Sequence, residues 1–205
     1  MEIAIYIPAF VALFVIIDPV GLAPLFAALT QGMDPRERRA VAIRACLVAL
    51  GILTLFGIAG EAVLNFLGIS MPAFRIAGGV LLFLTALDML FERRAQRRQG
   101  QADTAHPADP SVFPLAIPLI AGPGAIATMI LLTGQEGGGA LHVLAVHGVM
   151  AIVLLAVFAL FLLAAPLERL LGPTGINVVT RLLGMLLAAL SVQFVIDGMR
   201  DLQVI

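Results

Sequence analysis

Tryptophan is absent, tyrosine and cysteine occur once each, and all 12 basic residues are arginine. Each scarcity excludes something. Sole Cys46 rules out an intramolecular disulfide and any multi-cysteine metal site. Its plain reading is a small apolar packing residue in a helix. With Tyr6 the only tyrosine, no aromatic cage is evident. His142 and His147 stand five apart, off the i, i+4 spacing that puts two ligands on one helix face. No HExxH, CxxCH or other His/Cys cluster is present, so no metal or other cofactor is expected. There is no P-loop for an ATP-driven pump and no GxSxG elbow for a hydrolase, so the chain is not expected to be an enzyme. Nothing in the charge pattern points to nucleic acid.

What is present is apolar. The 205 residues are 61% hydrophobic, with a mean hydropathy of +1.08, against about 45–50% apolar in an ordinary globular domain. Six segments are long and apolar enough to cross a bilayer, at about 3–30, 40–66, 72–91, 112–133, 140–165 and 176–199. The N-terminus does not read as a secretory signal, because Glu2 stands where a basic region belongs and the apolar run continues too far. Asp34-Pro35 reads as the N-cap and first residue of the second segment. Residues 92–111 form the one long hydrophilic stretch, with Arg93, Arg94, Arg97 and Arg98, and read as a mobile polar loop. Arginine counts in the short loops orient the chain. The first, third and fifth loops carry arginine and the second and fourth carry none. Odd loops are therefore expected in the cytoplasm, and both termini outside.

The first segment contains Asp18-Pro19-Val20-Gly21-Leu22-Ala23-Pro24. A carboxylate at mid-membrane costs roughly 2.5–3.5 kcal/mol on insertion scales, and an interior proline about 3 kcal/mol. Such a stretch is tolerated at depth where it meets protein or a water-filled cavity. A second break, Ala121-Gly122-Pro123-Gly124, interrupts the fourth segment. Pro19 and Pro123 are 104 residues apart. Arg75-Ile76-Ala77-Gly78 and Arg181-Leu182-Leu183-Gly184 echo each other at a separation of 106. The chain thus reads as one transmembrane domain, 1–205, of two three-span halves, 1–94 and 112–205, joined by the polar loop. An odd number of spans per half forces the second half to enter upside down, the inverted-repeat plan of many secondary transporters. The expected fold is therefore all-α: six transmembrane helices as two inverted three-helix repeats, with helices 1 and 4 broken at mid-membrane.

Half-helices starting after Pro19 and Pro123 would present N-H donors and partial positive charge to an anion. The preceding half-helices would end in carbonyls that suit an ammonium or a cation. One pair of breaks can thus hold both ends of a zwitterion. Candidate substrate-binding residues are Asp18, Pro19, Val20, Gly21, Gly122, Pro123, Gly124, Ala125 and Thr128. Gating or coupling candidates are Glu61, Arg75, Asp88 and Arg181. Arg75 and Arg181 either snorkel to the interface or close a gate, with Glu61 a partner for Arg75. The plain alternative for both breaks is proline kinking and close helix packing.

The Asp18–Pro24 stretch, Phe74-Arg75-Ile76-Ala77-Gly78-Gly79, Ile120-Ala121-Gly122-Pro123-Gly124-Ala125-Ile126-Ala127-Thr128 and the closing Asp197-Gly198-Met199 run together resemble the MarC family of integral membrane proteins. The likeness covers nearly the whole chain. It implies a bacterial inner-membrane transporter of small neutral amino acids such as glycine or alanine, working by alternating access, with substrate contacts at the two breaks. Its relatives often carry Asn where this chain has Asp18. A proton coupled through Asp18 and sodium held by exposed carbonyls are both open as the driving ion. A passive channel or an exporter of another small metabolite is the competing reading.

Overall fold

The computed structural model describes residues 6–104, 109–134 and 139–203. Among them every regular element is helical: α1 (Ile7–Ile17), α2 (Pro19–Leu29), α3 (Pro35–Phe66), α4 (Met71–Leu90), α5 (Arg93–Thr104), α6 (Ser111–Ile120), α7 (Pro123–Thr133), α8 (Ala140–Leu162) and α9 (Ala164–Asp201). Five helical stretches are long and apolar enough to cross a membrane, counting Ile7–Leu29 as one. The α6–α7 pair, bent by 56°, makes up to a sixth.

Local chemistry sets the helix ends. Asp34 caps α3 by accepting from the N–H groups of Arg36 and Glu37, while the Glu37 carboxylate accepts from Asp34 N–H. This is a complete capping box with Pro35 at the first position, as the Asp-Pro pair predicts. Ser70 caps α4 more simply, its hydroxyl accepting from Ala73 N–H. Gly172, at φ 60°, breaks α9 just before Pro173, so residues 166–175, expected as a simple connector, are largely helical around one kink.

The stripe along α3 is small: Ala42, Ala45, Ala49, Leu53, Gly57, Gly60 and Leu64 are buried at three- and four-residue steps. A methyl at Gly60 would strike Ile130 of α7. The opposite face carries exposed Leu47, Leu55 and Ile58, as a lipid-facing surface requires. The broadest helix pairing is α4 against α9. It closes on glycine: a methyl at Gly79 would come 2.7 Å from Ser191 O, and one at Gly184 2.9 Å from Met89 Cβ. Small residues of this kind let helix backbones approach where lipid offers no hydrophobic drive for association. Elsewhere α3 packs on α6, α7 and α8, α1 and α2 pack on α8 and α9, and α4 also meets α7. The core lies where these elements cross, around Leu13, Leu22, Phe26, Leu53, Met129 and Phe161. Phe26 and Phe161 stack at 4.4 Å between α2 and α8.

The largest difference from the sequence-based expectation is within the expected loop 92–111, of which residues 105–108 lie outside the described residues. Residues 93–104 are helical, not loop, and two of their arginines turn inward.

Candidate functional site

Asp18 lies between α1 and α2 with φ 58° and ψ 65°, a left-handed conformation that Asp tolerates better than most residues. It does two capping jobs. Its N–H donates to Phe14 O, ending α1, and its Oδ1 accepts from Gly21 N–H at 3.1 Å, opening α2. Pro19 follows at the position where its missing N–H costs nothing. Gly21 sits directly over the carboxylate, and a methyl there would collide with it.

The Asp18 side chain is fully buried. Its counter-ion comes from α5: Arg98 Nη1 donates to Asp18 Oδ2 at 3.0 Å, and Nη2 donates to Ile17 O at 3.0 Å. Arg98 is 5% exposed. One turn earlier, Arg94 donates to Ile16 O and to Met89 Sδ. Burial pushes the Arg94 guanidinium down to about 9, so it keeps its charge at neutral pH. Burial also lowers Arg98, and Asp18 opposes that shift. Arg97 pairs with Asp88 at 3.0 Å on the more exposed side of α5.

The second interruption is built differently. Phe113 and Ile117 are extended ahead of Pro114 and Pro118, and both of those peptide bonds are cis. Wide turns then carry Leu115 N–H to Pro110 O and Ala121 N–H to Ala116 O. Gly122 is extended, and Pro123 starts α7. The two interruptions are neighbours: a methyl at Gly124 would stand 2.8 Å from Ile16 Cδ1.

Two cavities flank them. One, of about 230 Å³, is lined by Asp18, Gly21, Glu92, Glu168, Asn177 and Thr180, among others. The Thr180 hydroxyl there is buried without a hydrogen-bond partner. The other, of about 280 Å³, is lined by Asp88 and by Gly122, Pro123, Gly124 and Ala125. Arg94 and Arg98 line both cavities. The structure therefore brings the predicted residues into adjacent cavities divided by two arginines, not into one open site. Pro19 is buried beside Asp18, and Val20 lines neither cavity. Thr128 is fully buried, its hydroxyl donating to Gly124 O at 2.8 Å.

The gating candidates are rearranged. The partner of Arg75 is Asp201, not Glu61, because antiparallel packing of α4 on α9 brings the start of one beside the end of the other. Glu61 is exposed on α3. Arg181 pairs reciprocally with Glu92 just past the end of α4, at 2.6 Å. At the far end of the bundle from the cavities, His142 Nε2 lies 2.8 Å from Leu132 O, and its Nδ1 lies 3.4 Å from the Tyr6 hydroxyl. Three elements are tied together there. Among the described residues no cluster of three or more metal-ligating side chains is present.

The sequence reading missed Arg94, Arg98, Glu92 and Thr180 as lining residues. For the arginines a signal was available. Arg94 and Arg98 are four apart on a helix with no apolar stripe, so both project from one face.

Residues 3–203 match the model of the MarC family integral membrane protein. A UPF0056 membrane protein of Aquifex aeolicus (strain VF5) is 38% identical over 97% of this chain and 94% of its own length. One from Archaeoglobus fulgidus is also 38% identical, over 98% of this chain and 97% of its own length. The UPF0056 inner membrane protein YhgN of Escherichia coli (strain K12) is 36% identical over 95% of both chains. No solved structure matches. With a family model spanning almost its whole length and relatives aligned end to end, this chain belongs to the MarC family of integral membrane proteins.

Proposed function

We propose that this protein is a secondary transporter of small zwitterionic solutes, with glycine and alanine as the first candidates, working by alternating access in the bacterial inner membrane. The observation that carries the reading is the pair of adjacent backbone interruptions, each lining its own cavity. Asp18 and the carbonyl end of α1 suit an ammonium. The N-terminus of α7 at Pro123 suits a carboxylate. In this reading both lie near the bilayer midplane.

An inverted repeat is supported by reciprocal contacts. If α1–α2, α3 and α4 correspond to α6–α7, α8 and α9, every major pairing has its mirror. The α3 contact with α6–α7 answers that of α8 with α1–α2, and α4 on α7 answers α9 on α1–α2. Within the α4–α9 pair, Arg75–Asp201 answers Arg181–Glu92, and Gly79 against Val195 answers Gly184 against Met89. Reciprocity of this kind is the mark of an approximate two-fold axis.

Arg94 and Arg98 of α5 line both cavities, and Glu168 and Pro173 near the start of α9 line the first, an end that the arginine counts assign to the cytoplasm. The opposite end is tied by His142, Tyr6 and Leu132. Cavities at one end and helix-to-helix ties at the other support an alternating-access reading. A passive channel needs a continuous path, whereas Arg94 and Arg98 part these cavities. Asp18 is the group through which a proton would be coupled; sodium at the α1 carbonyls is the alternative.

The test is substitution at each interruption. Asp18→Asn and Gly124→Val, in protein shown to be folded in proteoliposomes, are each expected to abolish glycine and alanine uptake. Full uptake by both variants would overturn the site assignment.

A further inference from the structure

Helix α5 is unusual for an element packed on a membrane bundle. Its sequence, Arg93-Arg94-Ala95-Gln96-Arg97-Arg98-Gln99-Gly100-Gln101-Ala102-Asp103-Thr104, has no apolar residue larger than alanine. Burial of an apolar stripe therefore does not hold it. Its described attachments are polar: Arg98 to Asp18 and Ile17 O, Arg94 to Ile16 O and Met89 Sδ, and Arg97 to Asp88.

The acceptors that Arg94 and Arg98 use are informative. Ile16 O and Ile17 O belong to the last turn of α1, where helix carbonyls lack intrahelical partners and carry partial negative charge. With Asp18 Oδ2 they make three oxygen acceptors on three consecutive residues, one bound by Arg94 and two by Arg98. An ammonium group has three N–H donors and one positive charge. Arg98 thus occupies a carboxylate and a helix-end carbonyl that would equally suit a primary ammonium.

The position of these arginines matters as much as their bonds. Both line the cavity at Asp18 and the cavity at Gly122–Gly124. They are the wall between the two. Withdrawing α5 joins the cavities and lets one small solute touch Asp18 and the start of α7 together. It also leaves Asp18 buried without a counter-ion, so withdrawal is favoured when an ammonium takes the place of Arg98.

We propose that α5 is a built-in plug whose Arg98 competes with the substrate ammonium for Asp18, so that substrate entry and release of α5 are one exchange of cations. This rests on the transporter reading above for the identity of the competitor, but not for the plug itself. Arg98 acts through Asp18 and is a positioning residue; it does not hold the solute.

The experiment has two arms on the purified full-length protein. In the first, glycine and alanine binding is measured calorimetrically for the wild type, Arg98→Gln and Arg98→Lys. If α5 is docked about nine-tenths of the time, its removal tightens apparent affinity roughly tenfold. The expected result is that Arg98→Gln tightens binding and Arg98→Lys stays near wild type. Weakened or unchanged binding in Arg98→Gln would overturn the plug, weakened binding showing instead that Arg98 holds the solute. In the second arm, amide hydrogen exchange of residues 93–104 is followed. It is expected to speed up in Asp18→Asn without ligand, and in the wild type on adding glycine. Unchanged exchange in ligand-free Asp18→Asn, or slower exchange with glycine, would also overturn it. If no form binds glycine or alanine, the amino-acid reading falls while the ligand-free comparison still decides the plug. If Arg98→Gln fails to fold, the wild-type exchange measurement decides it.

Discussion

Asp18 meets three demands with one carboxylate. It accepts the Gly21 N–H in the first turn of α2, it neutralises Arg98, and it sits in a left-handed conformation beside a proline that forbids simple helix continuation. Removing it leaves a buried guanidinium without its partner charge. Breaking a buried pair from one side costs about 3–5 kcal/mol. Asp18→Ala is therefore expected to lower stability by about that amount, read from thermal unfolding in detergent; a change under about 1 kcal/mol would show that Arg98 escapes to water in the folded protein. Gly21 is bound to Asp18 by space. Its missing side chain is where the carboxylate lies, so Gly21→Ala must displace it. We expect a loss of about 1–3 kcal/mol from overpacking, together with lost uptake. Asp18 and Gly21 were both legible as site candidates, because a charge and small residues inside an apolar run are locally anomalous. For Arg98 the four-residue spacing from Arg94 could be read but its role could not, because its partner lies 80 residues earlier, and four arginines in a polar segment have an ordinary explanation as a cytoplasmic loop.

Individual elements repeat that contrast. The α3 cap could be read from Asp34-Pro35 and Glu37, since every group involved lies within four residues. The ends of α4 agree with the apolar run to within one residue. The Arg75 partner could not be read, since it depends on which helix lies alongside α4 and in which direction. A double-mutant cycle is expected to show coupling of at least about 0.2–1 kcal/mol, the surface-pair magnitude, between half-buried Arg75 and Asp201, and none between Arg75 and Glu61. The reverse pattern would contradict the α4–α9 packing. That packing has its own test. Gly79 faces the Ser191 carbonyl, which is backbone and cannot move aside as a side chain would. Gly79→Val is expected to destabilise by about 1–3 kcal/mol, measured by thermal unfolding. At the start of α6, Ser111 N–H bonded to Asp109, with Arg44 alongside, holds the Asp109 carboxyl below the ordinary carboxylate range. The stability it adds is present above that ordinary range and is lost as pH falls through the lowered value. Asp109→Asn should flatten the acid side of the stability profile slightly, slightly because the pair is largely solvent-exposed.

At the scale of the molecule, the apolar helical segments followed from hydropathy, since a bilayer requires about 20 apolar residues per helix, while polar α5 did not. The arrangement of those helices did not. The sequence echoes at Pro19 and Pro123 and at Arg75 and Arg181 suggested two related halves, but interleaving puts α1 and α2 against α8 and α9, not against their own half. That interleaving sets the two interruptions side by side and gives each a cavity. It also leaves α5, between the halves, placed to reach Asp18. A chain-order reading has no means of anticipating such a placement. The central claim, that this assembly exchanges a small zwitterion across the membrane, is tested most directly by counterflow in proteoliposomes. Vesicles loaded with excess unlabelled glycine or alanine are exposed to trace radiolabelled solute, with no ion gradient imposed. The account predicts transient, saturable accumulation of label above the level of unloaded vesicles, lost in Asp18→Asn. Label that enters without saturation and shows no acceleration by internal solute, or none that enters with folded protein, would contradict it.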